Sequence, residues 1–223
     1  MTTALPGPDS RSHPLSRTSA ACPDPPLLAI VSEHGPRIAR FSIDGKWLDD
    51  MQVPAPLSDP AAQRSVKDGP EALAIHPDLG LLTMPEEPLA AEVRTTHTIY
   101  AANGDTLAFD TTDIGTTSIE GLEVFSDGCM AMIEHDVSAT DGSLIPFLRV
   151  LDPANRGADP MCATELARIR MPGIMDADFD GITQISEDLI LIVSHDKIDS
   201  GRCSVFGLLR ITPASAGQHG TSG

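Results

Sequence analysis

The sequence predicts an all-β fold, a β-propeller built of four-stranded blades, and four observations predict it. Short apolar runs alternate with turn signals from Leu27 to Thr212. Hairpin-type dipeptides punctuate them at Asp44-Gly45, Asn103-Gly104 and Asp127-Gly128. No long segment carries the period of about 3.6 residues that marks an amphipathic helix, and a single kind of unit recurs along the chain.

The clearest copies of that unit are three. One runs Glu71-Ala-Leu-Ala-Ile-His-Pro-Asp-Leu-Gly80 and continues as Leu81-Leu-Thr-Met-Pro-Glu-Glu87. The next runs from Glu120-Gly-Leu-Glu-Val-Phe-Ser-Asp-Gly128 into Cys129-Met-Ala-Met-Ile-Glu-His-Asp136. The third runs from Asp180-Gly-Ile-Thr-Gln-Ile-Ser-Glu-Asp188 into Leu189-Ile-Leu-Ile-Val-Ser-His-Asp196. An earlier copy keeps only the second half, Leu27-Leu-Ala-Ile-Val-Ser-Glu-His-Gly35. Each unit is an acidic residue, an apolar strand, a tight turn, a second apolar strand, and an end rich in acid or histidine. Second strands starting at Leu27, Leu81, Cys129 and Leu189 are spaced by 54, 48 and 60 residues, close to the roughly 40–50 residues of a propeller blade.

The stretches between units supply outer strands. Arg37–Ile43 pairs with Lys46–Val53, His97–Ala101 with Thr106–Asp110, and Phe147–Asp152 with Glu165–Met171. The segment 163–170 also reads as a turn or two of helix. About three and a half to four blades are visible. The first lacks an inner strand and the last, ending near Thr212, an outer one. Either the ring is truncated or the leader supplies a missing strand. Residues 1–24 are rich in Pro, Ser and Thr and read as a disordered leader. Residues 25–212 form the domain, and 213–223 read as a flexible tail.

Composition narrows the function. The chain has 223 residues, with 15 Lys+Arg against 32 Asp+Glu and a net charge of -17. That balance opposes nucleic acid, whose affinity rests on cationic contacts, and an anionic membrane surface. It suits cations, and it equally suits a merely soluble surface. No run approaches the roughly 20 apolar residues of a membrane span, and the N-terminus lacks a signal-peptide apolar core. As written the chain reads as cytoplasmic; a secreted or periplasmic protein requires a different N-terminus. Cys22, Cys129, Cys162 and Cys203 show no zinc-type spacing and read as free buried thiols. Oligomeric state is not legible.

The blade geometry collects side chains. A first strand that runs down and a second that returns bring both ends to one face. Glu71 and Glu86 are 15 residues apart, Glu120 and Glu134 are 14 apart, and Asp180 and His195 are 15 apart, as two short strands and a turn require. Glu71, Glu120 and Asp180 are therefore expected to ring one mouth of the fold. Glu33, His34, Glu86, Glu87, Glu134, His135, Asp136, His195 and Asp196 are expected around them. Converging carboxylates raise one another's pKa or recruit a cation. Ca²⁺, a hard ion with six to eight or so oxygen ligands, suits them; a softer ion would use the histidines. The same carboxylates equally serve as structural staples between blades. His76 and His97 read as surface residues, and Trp47 and Tyr100 as packing residues. No Gly-x-Ser-x-Gly elbow, P-loop or dinucleotide fingerprint is present.

These repeats resemble the phytase-like family, whose members carry an "esterase-like activity of phytase" domain. The resemblance rests on Glu71-Ala-Leu-Ala, Glu120-Gly-Leu-Glu, Met175-Asp-Ala-Asp-Phe-Asp-Gly-Ile182 with Ile190-Leu-Ile-Val-Ser-His-Asp196, and Val31-Ser-Glu-His-Gly-Pro-Arg37. It implies a propeller related to Ca²⁺-dependent phytases, acting on a small-molecule phosphate ester or another ester. In such enzymes carboxylate-held Ca²⁺ binds the ester and activates water. By position Glu71, Glu120 and Asp180 would be metal ligands, with Glu134, Asp136 and Asp196 as further ligands or their supports. Arg37, Lys197, His135 and His195 would meet the substrate. The chain departs from the family where Asp180 replaces the usual Glu and where His135 and His195 add nitrogen donors. Two other readings compete. One is a non-catalytic propeller with structural Ca²⁺ or none, serving as a binding module. The other is a gluconolactonase-like one-ion site, which would want Asn ligands, whereas Asn103 and Asn155 both lie in apparent turns.

Overall fold

The computed structural model describes residues 2–5, 26–33, 35–111, 117–152, 163–170, 178–194, 197–198, 201–202 and 204–211. Strands dominate, with 3₁₀ turns at Ala55–Leu57 and Pro60–Ala62. Four antiparallel sheets follow one another along the chain. The first contains β1 (Thr2–Leu5), β2 (Leu27–Ser32), β3 (Arg37–Ser42) and β4 (Trp47–Met51). The second contains β5 (Pro70–His76), β6 (Gly80–Pro85), β7 (Thr96–Ala101) and β8 (Thr106–Asp110). The third contains β9 (Ser118–Val124), β10 (Met130–Val137), β11 (Leu144–Leu151) and β12 (Thr164–Arg168). The fourth pairs β13 (Phe179–Ser186) with β14 (Leu189–Ser194). A small hairpin follows, β15 (Lys197–Ile198) with β16 (Gly201–Arg202), and then β17 (Val205–Arg210) joins β14.

Strand order within each sheet follows chain order, the up-and-down arrangement of a blade. No sheet closes on itself among the described residues. Thr2–Leu5, expected in an unstructured leader, pairs with β2 in register Thr2↔Ile30 to Leu5↔Leu27. The first sheet thus gains the inner strand that the repeat lacked. Segment 163–170 holds a strand and not a helix, pairing Phe147↔Arg168 and Val150↔Thr164.

The three predicted dipeptides close hairpins with one shared bond pattern. At the β9–β10 turn the Gly128 N–H donates to the Phe125 carbonyl, and the Phe125 N–H to the Cys129 carbonyl. Gly128 has φ 88° and Gly104, in the β7–β8 turn, φ 95°, a left-handed conformation that glycine adopts without steric cost.

Successive sheets pack face to face. Ala29, Val31 and Ile38 of the first sheet meet Leu73 and Leu81 of the second. Leu82, Met84, Ile99 and Phe109 of the second meet Ile119, Leu122, Met130 and Met132 of the third. Ala131, Ile133 and Leu148 of the third meet Phe179, Ile182, Ile190 and Ile192 of the fourth. At about 25 cal/mol per Å² of buried apolar surface, these three layers hold the sheets together.

Two histidines expected at the surface are buried. His76 is seated by backbone, with the Asp78 and Leu79 N–H groups donating to its Nδ1 and its Nε2 lying 3.2 Å from the Gly128 carbonyl. His97 stacks on Phe109, and burial drives its pKa down to about 3, so it is neutral. Tyr100 packs on Leu57 and Leu89, whereas Trp47, expected to pack, is 51% exposed. Cys129 is a free, half-buried thiol; Cys22, Cys162 and Cys203 lie outside the described residues.

Candidate functional site

The three acidic residues that open the repeats share one backbone device. In the second sheet Pro70 pairs with Pro85 and Ala72 with Met84, which leaves Glu71 as the extra residue of a β-bulge. In the third, Ile119 pairs with Glu134 and Gly121 with Ile133, which leaves Glu120. In the fourth, Phe179 pairs with Ser194 and Gly181 with Val193, which leaves Asp180. A bulge bends the strand and re-aims one side chain. Here it turns an inner-strand carboxylate into a common cleft. The small residue after each acid (Ala72, Gly121 or Gly181) belongs to the same device. A Cβ on Gly181 would overlap the Val193 side chain.

The cleft measures about 440 Å³. It is lined by Glu33, Glu71, Glu86, Glu87, Ser118, Glu120, His135, Val137, Leu144, Asp178 and Asp180. Glu33, Glu71 and Glu86 converge most closely, with one carboxylate oxygen of each within 4.8 Å of the others. The backbone holds them there. The Glu86 N–H donates to the Gly69 carbonyl, and the Glu86 carbonyl accepts from the Ile119 N–H, tying the second sheet to the third. Gly69 lies so close to Glu33 that a Cβ would overlap the Glu33 carbonyl, so only glycine lets Glu33 and Glu71 share the cleft.

Electrostatics follow from that crowding. Burial pushes the Glu71 carboxyl up to about 9, helped by Glu120, Glu33, Glu86 and Asp180. Burial likewise pushes Glu86 up to about 8, helped by Glu120, Asp68, Glu33 and Glu87. Glu120 is raised by burial too, while His135 and the Ser118 hydroxyl pull the other way. The Ser118 hydroxyl donates to Glu120. His135 lies between two carboxylates, its Nδ1 3.5 Å from Glu120 Oε1 and 3.3 Å from Asp178 Oδ1. Glu87 is matched behind the cleft by Arg94 at 2.8 Å and Arg64 at 3.8 Å. No Lys or Arg is among the described lining residues.

Of the expected ligands, Glu71, Glu120 and Asp180 line the cleft together, joined by His135. Glu134 and Asp136 are fully buried and do not line it. The reason is strand parity: along β10, neighbours point to opposite faces. His135 faces the cleft, and Glu134, one position away, forms a buried ion pair with Arg149. The Asp136 carboxylate accepts the Val137 N–H. Arg37 stays at the exposed edge and binds Asp50 at 2.7 Å. Lys197 begins β15, and His34, His195 and Asp196 lie outside the described residues. Sequence reasoning gave no role to Ser118 or Asp178. Each sits two residues before a bulged acid, and that spacing is the signal that finds them.

A family model described as "Phytase-like: esterase-like activity of phytase" matches residues 23–187. The chain belongs to the phytase-like family. This phytase-like chain also resembles virginiamycin B lyase from Staphylococcus aureus, at 12% identity and a TM-score of 0.39. That match covers 83% of this chain and 63% of the lyase, so the chain spans less than two thirds of that neighbour's length. A catalytically inactive variant of the same lyase, solved with quinupristin, matches at 8% identity and a TM-score of 0.37, covering 84% and 67%. Similarity at that level carries no argument about function. No curated protein matches the chain.

Proposed function

We propose that this chain is a propeller-type, phytase-like protein that binds Ca²⁺ in the carboxylate cleft and hydrolyses a phosphate ester or a related ester. The observation that carries this reading is the convergence of Glu33, Glu71 and Glu86 within 4.8 Å, with two of the three resisting ionisation. The donor set is all oxygen, as a hard cation requires. Glu33, Glu71 and Glu86 would hold the ion, with Glu120, Asp178 and Asp180 beside them. A bound divalent cation would neutralise an anionic ester and lower the pKa of a water molecule. The cleft needs that neutralisation, because its described lining carries no Lys or Arg and would repel a phosphate. His135, held between Glu120 and Asp178, is the residue that exchanges a proton in this reading, and the Ser118–Glu120 bond fixes its partner.

The competing reading is a non-catalytic module whose carboxylates only brace the sheets. The backbone of Glu86 favours it, since its bonds to Gly69 and Ile119 already tie the second sheet to the third without any ion. Thermal melts separate the two, run in EDTA and then in millimolar CaCl₂ on the parent and on Glu71→Gln. The proposal expects a Ca²⁺-dependent rise that the variant loses, and Ca²⁺-dependent phosphate release from an aryl phosphate. A rise without turnover leaves the bracing module. Identical melts in EDTA and CaCl₂ remove the cation from this reading.

A further inference from the structure

The wall of the cleft is not acidic all round, and its apolar part comes from one extended hairpin. β2 stops at Ser32 and β6 at Pro85, each just before a cleft acid, Glu33 or Glu86. In the third sheet the Ile119↔Glu134 pair is the counterpart of Pro70↔Pro85 in the second, since each directly precedes the bulged acid. β10 does not stop at that point. It continues through His135 and Asp136 to Val137, and β11 begins opposite it, which adds the pairs Asp136↔Ile145 and Val137↔Leu144. Packing of the sheets does not account for the extension. Among the described residues, the layers on either side of the third sheet draw Met130, Ala131, Met132 and Ile133 from β10, and neither Val137 nor Leu144.

Strand parity aims the extension. Side chains two apart on a strand share a face, so Val137 follows His135 onto the cleft. Leu144, directly opposite Val137, faces the same way. Both line the cleft and both are half-buried. They are the apolar members of a described lining otherwise made of carboxylates, Ser118 and His135. The loop beyond them is tied down. The Ser138 N–H donates to the Ser143 carbonyl and the Gly142 N–H to the Ser138 carbonyl. The Asp141 carboxylate accepts both the N–H and the hydroxyl of Ser143. The third sheet is packed by the second on one face and by the fourth on the other, so neighbours on both sides fix where this hairpin stands.

We propose that Val137 and Leu144 form an apolar subsite of the cleft, and that its substrate is an anionic ester carrying an apolar aryl or short alkyl group. The inference rests on the Ca²⁺-binding reading above, which accounts for the anionic end of that substrate. Small-molecule sites combine apolar walls with a few polar groups that fix orientation, and this cleft of about 440 Å³ holds both. The anionic group meets the carboxylate-held ion, while the organic group leaves water for Val137 and Leu144, on the face they share with His135. A polyol phosphate, hydrated all round, gains nothing from that wall. An aryl or alkyl group gains binding with each apolar carbon it buries there. The wall therefore selects among anionic esters by their organic part.

The test is isothermal titration of the full chain in CaCl₂ with phenylphosphonate and with methylphosphonate. The two share one anionic group, and their C–P bond does not hydrolyse, so binding is read without turnover. Phenylphosphonate is expected to bind about tenfold or more tightly than methylphosphonate. Val137→Thr with Leu144→Thr keeps a strand-favouring residue at one position and supplies one at the other, and removes the apolar wall; it should bring the ratio close to one. Ile145→Thr, next to Leu144 but on the opposite face of β11, controls for disturbance of the hairpin and should keep the ratio. Melts in EDTA and CaCl₂ without phosphonate report the cation separately. A Ca²⁺-dependent rise with equal binding of the two phosphonates, or with binding of neither, overturns the subsite and leaves the cation reading standing. No rise and no bound phosphonate removes both. A phenyl preference that survives the double variant overturns the subsite as well, because the ring is then seated elsewhere, and so does a preference lost in Ile145→Thr.

Discussion

Glu71 shows how much of this protein's behaviour rests on single carboxyls. Its pKa is pushed up to about 9 against an ordinary value of 4.5, first by burial and then by Glu120, Glu33, Glu86 and Asp180. Glu86 follows at about 8. In the unfolded chain both ionise near pH 4.5, so between that pH and about 8–9 the folded state holds more protons than the unfolded one. Stability therefore falls as pH rises through this window. Below pH 4.5 both states are protonated and the effect vanishes. Melting temperatures in EDTA should fall from about pH 5 to pH 9, and Glu71→Gln, which keeps the shape and cannot ionise, should flatten the decline. A parent profile that is flat or rises across the window contradicts the electrostatics assigned to the cleft. Burial and parity at this scale were only half legible in the sequence. The acids that open each repeat were visible because a small residue and an apolar strand follow each one. Which of Glu134, His135 and Asp136 faces the cleft depends on register across the Ile133/Glu134 bulge, and a one-residue shift inverts the answer. The burial of His76 and His97 comes from distant partners, Gly128 and Thr117, which no local pattern announces.

At the scale of elements, three bulges aim the acids and one glycine lets two sheets approach. Gly69 is the sharper case, because the obstacle to a side chain there is the backbone of Glu33 and not a rotatable group. Gly69→Ala must displace either the end of β2 or the start of β5, and overpacking of this kind costs about 1–3 kcal/mol. The displacement also separates Glu33 from Glu71 and disturbs the Glu86–Gly69 bond. The expected result is a lower melting temperature together with loss of any Ca²⁺-dependent rise. A variant that melts lower but keeps the full rise would show that the cleft tolerates the shift, and Glu33 would then leave the ligand set. The hairpins at Asn103-Gly104 and Asp127-Gly128 were legible because the turn demands those residues. β1 was not, since Thr2–Leu5 has no apolar period and joins β2 only across more than twenty intervening residues. Pairing at that separation is decided by the free edge of β2 and is invisible to a local window.

For the molecule as a whole, stability is distributed sheet by sheet. The second and third sheets are packed on both faces, by Leu73 and Leu81 on one side and by the Phe109–Leu122 layer and the Ile133–Phe179 layer on the others. Among the described residues, the first and fourth sheets are packed on one face each. In a linear array of similar units, each unit's stability depends mainly on its neighbours, and amide exchange reports the local opening free energy. Exchange should be slowest in β5, β6, β9 and β10 and fastest in β17, whose Phe206 and Leu208 are exposed. At low concentration that gradient should follow packing and not position in the chain, so β14 should exchange faster than β10 although both are second strands of the same repeat. Uniform protection across all four sheets at low concentration would instead mean that the array opens as one unit, with the inter-sheet layers stronger than the sheets themselves.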